Sequence, residues 1–294
     1  MKAKLNFNFF DVFVVAFILS FSLLCFYPLW YVLIMSVTHN ASASTLAFLP
    51  PLQMDFTYYA GILQNGSFFR ALMVTVTVTI SGTALALVVT SSMAYGVSKA
   101  HIKGMKFLNV LVFITMYFSG GLIPTFFLYR DLGLLNNMLV MILPGGFVAG
   151  YFVIMRNYFA YSVPQDLEEA ARIDGANDVR IYFSVIMPLS RPMIAAIGLF
   201  IAVLYWNNYT NYIYFASGNL RIQPLMYALY RILNESAFTQ SVQNAAQQLM
   251  GVPKIPAFSL RMASIILSIV PILIVYPFLQ KHFAKGILIG AVKG

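Results

Sequence analysis

Six stretches of this chain run for about 20 residues without one charged side chain, the length an α-helix needs to cross the hydrocarbon core of a bilayer. They are Val12–Ser36, Ala71–Ser98, Phe107–Tyr129, Leu132–Met155, Pro192–Phe215 and Met262–Gln280. The second contains a Val-Thr alternation, Val74 to Thr79, that in water would read as a strand. An isolated strand in lipid leaves its backbone groups unpaired, so a helix is expected there too. The fold class expected is all-α integral membrane with six transmembrane helices. Only 9% of the 294 residues are charged and 60% are hydrophobic, where a soluble domain carries about a quarter charged. The formal charge of +9 therefore asks which membrane face holds the excess, and not which nucleic acid is bound. Lys2 and Lys4 before an apolar run resemble the start of a signal peptide, but the run from Phe9 to Val37 is too long and is interrupted by Pro28. It is read as a retained first span.

With the N-terminus in the cytoplasm, twelve of the eighteen basic residues fall on inside segments, and four of the other six lie on the long outer stretch after Asn207. Long loops cross largely regardless of charge, so both termini are expected inside. All nine acids lie outside the spans or at their edges. Ion-coupled carriers use intramembrane ionisable groups as coupling sites, and none is visible. His39, His101 and His282 are scattered, and Cys25 is the sole cysteine, so neither a metal site nor a disulfide framework is expected. No nucleophile-and-base constellation and no phosphate-binding Gly-x4-Gly-Lys-Ser/Thr loop occurs, so energy for uphill transport would come from another polypeptide.

Five of the nine acids crowd into the cytoplasmic segment Arg156–Arg191. Ser162 and Gln165 fit a capping box, and Pro164 suits a first helical turn. Asp166, Glu168 and Glu169 place negative charge near a helix N-terminus, where the dipole favours it, and Ala170 and Ala171 continue the helix. Gly175 is a candidate left-handed cap, and Asn177 can start a second short helix running toward Val185 and ending before Pro188. Helix, glycine turn, helix is the expected product. On these residues alone it reads equally well as a solvated connector.

Glu169-Ala170-Ala171, three residues, Gly175, nine residues, then Val185-Ile186-Met187-Pro188 resembles the EAA signature of ATP-binding-cassette importer permeases. Val185 and Met187 replace the family's Ile and Leu with side chains of similar bulk. From about Arg70 to Gln280 the order of spans resembles the five-helix type I permease core, with the first span in front. Phe118 to Pro124 and the tail Lys281 to Gly294 are similar to the complex-oligosaccharide (lipoprotein or polysaccharide) branch of the maltose-permease G-like group. The resemblance implies three parts: 1–69, a first helix and outer segment; 70–280, the core with its coupling loop 156–191 and outer loop 216–261; and 281–294, a cytoplasmic tail. It implies that the loop docks on an ATPase through Asp166, Glu168, Glu169, Ala170, Ala171, Asp174, Gly175 and Pro188, with Glu168 or Glu169 pairing with its basic residues. The partners implied are a second permease, two ATPases holding ATP and Mg, and an extracytoplasmic binding protein; this chain itself would bind no cofactor and catalyse nothing. The site implied is the cytoplasmic membrane of a prokaryote, and the solute a carbohydrate. Peptide, polyamine or glycerol phosphate permeases of the same superfamily, an ion-coupled carrier and a membrane scaffold are the alternatives.

Tyr205-Trp206-Asn207-Asn208-Tyr209-Thr210-Asn211 is dense in aromatics and carboxamides. Flat rings suit sugar faces and Asn satisfies hydroxyls in both senses, so these residues are candidates for the substrate pathway. An aromatic belt at the outer interface is the plainer reading. The long polar outer loop, with Gln240, Gln243, Asn244, Gln247 and Gln248, and the segment Thr38–Phe69 are candidate surfaces for the binding protein. Gly146 with Gly150, and Gly82 with Ala86, space small residues as close-packed helices require.

Overall fold

The computed structural model describes residues 9–39, 50–64, 66–99, 102–234 and 257–291. The polar cluster Gln240 to Gln248 and the basic residues Lys2, Lys4 and Lys293 lie outside the described residues. What is described is helical, and the only β-pairing among the described residues is one bridge between Thr38 and Met54. The Val-Thr alternation lies in the middle of a helix, as its solvent requires.

The chain divides into two compact units, the first formed by Met1–Gly66 with Leu229–Val270 and the second by Ser67–Ala228 with Pro271–Gly294. In the first unit, α1 (Phe9–Ser36) is exposed along almost its whole length and buries only its last three residues. Ile34 and Met35 pack with Trp30, Tyr31, Phe258 and Met262, the last two from the start of α14 (Ala257–Ala291). Asp55 caps α2 (Thr57–Gln64) by accepting the Thr57 amide at 2.9 Å, and its other oxygen lies 2.7 Å from His39 Nδ1. The His39 contact first, and Thr57 second, hold the Asp55 carboxyl down at about 2, so it stays charged throughout the physiological range.

The second unit is organised around α3 (Gly66–Ser98), 33 residues long and apolar enough to cross a membrane, as α1 also is. Among the described residues two of the expected single spans are instead bent helix pairs, and a third bent pair joins Asp178–Leu189 to Arg191–Asn207. α4 (Met105–Tyr117) and α5 (Leu122–Asp131) meet at 115° across Phe118 to Gly121, where Gly121 takes φ +82. The stretch expected from Leu132 to Met155 begins irregularly. Gly133 and Asn136 take positive φ, and Asn136 donates its amide to Phe215 O at 2.9 Å. The helical part is a short α6 (Leu139–Ile142), a 3-10 turn Leu143–Gly145 and, after a 42° bend, α7 (Ala149–Tyr161). The fifth splits into α11 (Arg191–Asn207) and α12 (Thr210–Phe215) at Asn208 and Tyr209. Among the described residues α1 and α3 are each long and apolar enough to cross a membrane alone, each bent pair meets that test as a pair, and Phe258–Ile274 of α14 is a shorter apolar helix. Backbone freed at such breaks survives at membrane depth only where protein or water covers it.

Small residues do most of the close packing where two breaks meet. Ala86 is fully buried, and a Cβ on Gly82 or on Gly145 would strike the Tyr205 ring or hydroxyl at 2.4 Å and 2.6 Å. The two glycines are the walls of a slot, and Tyr205 fills it and donates its hydroxyl to Ile142 O at 2.6 Å. Gly150 has no such neighbour. Thr75 Oγ1 accepts the Leu225 amide at 2.8 Å and so fixes the start of α13 (225–234) against α3.

Candidate functional site

The acidic segment expected to face the cytoplasm begins where α7 ends. α8 (Gln165–Ile173) starts after Pro164, which is its N-cap in extended conformation; no side chain caps it, so the capping box expected from Ser162 and Gln165 does not form. Proline already restrains the entry backbone and supplies no N–H to satisfy, and Asp166 and Glu168 in the first turn complement the dipole. The C-terminus closes as a Schellman motif: Ala176 N–H reaches Ala171 O and Gly175 N–H reaches Arg172 O, both at 3.0 Å, with Gly175 at φ +79. Asn177 then caps α9 (Asp178–Ile181), its side-chain oxygen accepting the Arg180 amide at 2.8 Å. Replacing Asn177 with Ala should cost about 1 kcal/mol of local helix stability, read as faster amide exchange at Val179 and Arg180 with the rest of the protection pattern unchanged.

The second helix does not stop before Pro188. It passes through a π-helical turn, Tyr182–Ile186, and a last helical turn, α10 (Met187–Leu189), that contains the proline. A proline lacks the N–H that an α-helix needs four residues back, and the wider π-turn is a known way to accommodate an interrupted ladder. At Ser190 the chain bends by 82° into α11.

The two acids that sequence left equivalent have different positions. Glu168 is 6% exposed and ion-paired with Lys99 just past the end of α3, whereas Glu169 faces solvent. Asp166, Ala170, Asp174, Gly175 and Pro188 are exposed and Ala171 is half-buried. Arg172 bridges the turn to Asp178 at 2.8 Å, an exposed pair of small energetic consequence. Apolar side chains share this surface: Leu167 is 45%, Val179 64% and Ile173 87% exposed. Lys99 could not have been singled out from sequence, because nothing in its spacing joins it to a segment 69 residues later.

The aromatic and carboxamide run is divided by the break between α11 and α12. Tyr205 is committed to its slot. Asn207 donates to Val203 O in its own helix at 2.9 Å, and Asn208 faces solvent beyond it. Tyr209 is the N-cap residue of α12, and Asn211 is half-buried in its first turn. Trp206, 8% exposed, lines a cavity of about 520 Å3 with Thr79, Thr83 and Ala202, and its Nε1 and both threonine hydroxyls have no hydrogen-bond partner among the described residues. A second cavity of about 730 Å3 shares Thr83, Leu87, Leu199 and Ala202 with the first and reaches Pro188 and Arg191. Together they make one groove along α3 and α11. Among the described residues no three His, Cys, Asp or Glu side chains cluster as metal ligands do.

In the second unit, broken and unbroken apolar helices and an acidic helix-turn-helix fit the class of membrane transport subunits. The chain belongs to the family of binding-protein-dependent transport system inner membrane components, which it matches over residues 106–289. It is 39% identical to the polygalacturonan/rhamnogalacturonan transport system permease protein YtcP of Bacillus subtilis, over 97% of this chain and 98% of that one. It is 35% identical to protein LplC of the same organism, over 97% and 95% of the two chains. The structure is similar, with a TM-score of 0.80 and 32% identity, to a chain of a bacterial ABC transporter involved in import of the acidic polysaccharide alginate, covering 93% of this chain and 96% of that chain. The protein is thus a non-catalytic permease component of an ABC importer, embedded in the inner membrane.

Proposed function

We propose that this permease carries an oligosaccharide into the cell by alternating access. In this reading its 70–280 core pairs with a second, similar permease, two ATPases supply ATP and Mg, and an extracytoplasmic binding protein delivers the sugar. Both termini lie in the cytoplasm. The observation that carries the coupling role is the surface around Gly175, where exposed Leu167, Ile173 and Val179 stand among the acids Asp166, Glu169 and Asp174. Apolar side chains left in water beside like charges are what a docked helix would bury, and Glu169 is the acid free to meet a basic residue of an ATPase. The sugar assignment is supported by the relatives, named for polygalacturonan, rhamnogalacturonan and alginate.

On the transport side, the groove from Trp206 to Arg191 is lined almost wholly by apolar side chains with an indole among them, a surface suited to the apolar face of a sugar ring. Replacing Trp206 with Ala should raise the half-saturating sugar concentration about tenfold with the amount of assembled permease unchanged, since losing one good stacking contact is worth 1–3 kcal/mol. Unaltered uptake kinetics at normal expression would remove Trp206 from the path. The whole reading is tested by reconstituting the four kinds of subunit in vesicles with a panel of neutral and acidic oligosaccharides. Uptake should need ATP and the binding protein and should persist when ion gradients are collapsed; gradient-driven uptake without ATP would establish a secondary carrier instead.

A further inference from the structure

Ser91 and Tyr95 on one face of α3, and Lys99 just past its end, follow at four-residue intervals and hold the segment around α8 and α9. Ser91 and Tyr182 share a hydroxyl-hydroxyl hydrogen bond of 2.6 Å. The Tyr95 ring lies 5.3 Å from that of Tyr182 and 6.0 Å, edge-on, from that of Phe159. Lys99 pairs with Glu168, and its ammonium lies 4.8 Å over the Tyr95 ring. Side chains four apart stack along a helix face, so the attachments form a continuous seam. The lysine and glutamate side chains are 14% and 8% exposed. A buried pair of this kind adds little net stability over apolar residues of the same size, while its geometry is strict. Glu168 is buried whereas Leu167, Glu169 and Ile173 are exposed, so α8 has one side for α3 and another left free.

We propose that the Lys99–Glu168 pair makes α8 and α3 move as one body, so that displacement of the coupling helix enters the membrane through α3. Lys99 is then a positioning residue for transport, although it touches neither sugar nor ATPase. The seam continues mechanically: further along α3, Gly82 receives Tyr205 of α11, and Tyr205 holds Ile142 at the end of α6. Movement of α3 is thereby delivered to α11, which lines the groove, and to the end of α6. This rests on the importer reading above, and the two can fail separately: absence of ATP-dependent uptake by the unaltered complex would end that reading, whereas the outcomes below concern only the link.

The test uses the complete importer in vesicles, measuring ATP hydrolysed per sugar imported. Lys99→Met and Glu168→Gln should each assemble and hydrolyse ATP, yet import about tenfold less sugar per ATP, a typical size for a coupling between distant sites. The exchanged pair Lys99→Glu with Glu168→Lys should recover most of the loss. Proportional losses of hydrolysis and import, unchanged stoichiometry in the single variants, or failure of the exchange to restore coupling would each overturn the proposal. Should a single variant fail to assemble, the apolar double Lys99→Met with Glu168→Met separates the roles: it is expected to assemble and remain uncoupled, and full coupling in it would overturn the link. A second measurement removes Cys25, places cysteines at 99 and 168, and joins them with a short bifunctional reagent. Joined protein should regain the sugar import per ATP that the unjoined double-cysteine protein has lost, because the cross-link stands in for the missing pair; no gain on joining would overturn the link. Hydrolysis that continues while transport stops on joining, or no joining at all, would overturn the rigid link.

Discussion

Tryptophan in place of Gly175 is expected to leave the importer assembled and hydrolysing ATP while import falls at least about tenfold. The local cost is bounded. Gly175 sits at φ +79, where a side chain costs about 1–2 kcal/mol, and a Cβ there meets nothing within 4 Å. Domains are stable by about 5–15 kcal/mol, so the fold survives. What does not survive is the surface: the indole would stand in the middle of the exposed patch made by Leu167, Ile173 and Val179. Gly175→Ala separates the two contributions, since it carries the backbone strain without the bulk, and it should retain most coupling. The check is sugar import against ATP hydrolysis in the same vesicles. Normal import by Gly175→Trp would place the docking surface elsewhere.

The second large effect concerns folding. Gly82→Val should reduce the yield of folded permease and lower its Tm in detergent by roughly 5 to 10 °C, on the usual conversion of about 2–4 °C per kcal/mol for a chain of this size. The added carbon would lie 2.4 Å from the Tyr205 ring, and that ring is confined on its other side by Gly145. Overpacking costs about 1–3 kcal/mol. Displacing Tyr205 also strands the Ile142 carbonyl, at about 1–3 kcal/mol more. Tyr205→Phe keeps the ring and loses only the hydroxyl contact, so it should cost about 1 kcal/mol. Tyr205→Val should relieve Gly82→Val in part, and strict additivity of the two would show that the slot is not shared.

The sequence exposed the bilayer as solvent because charge within a span is costly, and the absence of charge is visible residue by residue. It exposed the helix-turn-helix at Gly175 for a related reason: a left-handed glycine and an Asn cap are local chemistry. The breaks at Phe118 to Gly121 and at Asn208 were not legible, since apolar composition continues through them and only tertiary contacts, such as Asn136 against Phe215, set where a helix ends. The same limit hid the roles of Tyr205 and Lys99. A tyrosine among carboxamides reads as a ligand contact until its glycine slot is seen, and a lysine at a helix end reads as a topological marker until Glu168 is found beside it. Pro188 misled in the other direction, because a proline normally ends a helix and here a π-turn carries the chain past it.

The 115° corner between α4 and α5 also bears on the lipid around the protein. α3, with 33 residues, is about 50 Å long, whereas the 13 residues of α4 reach only about 20 Å, at 1.5 Å per residue. A bilayer core is about 30 Å thick, so one unit holds a helix too long for it and a helix too short. Lipid beside α4 must thin or give way to protein, and α3 must lean. The permease therefore meets its membrane with hydrophobic mismatch of both signs, and no single acyl-chain length fits it everywhere.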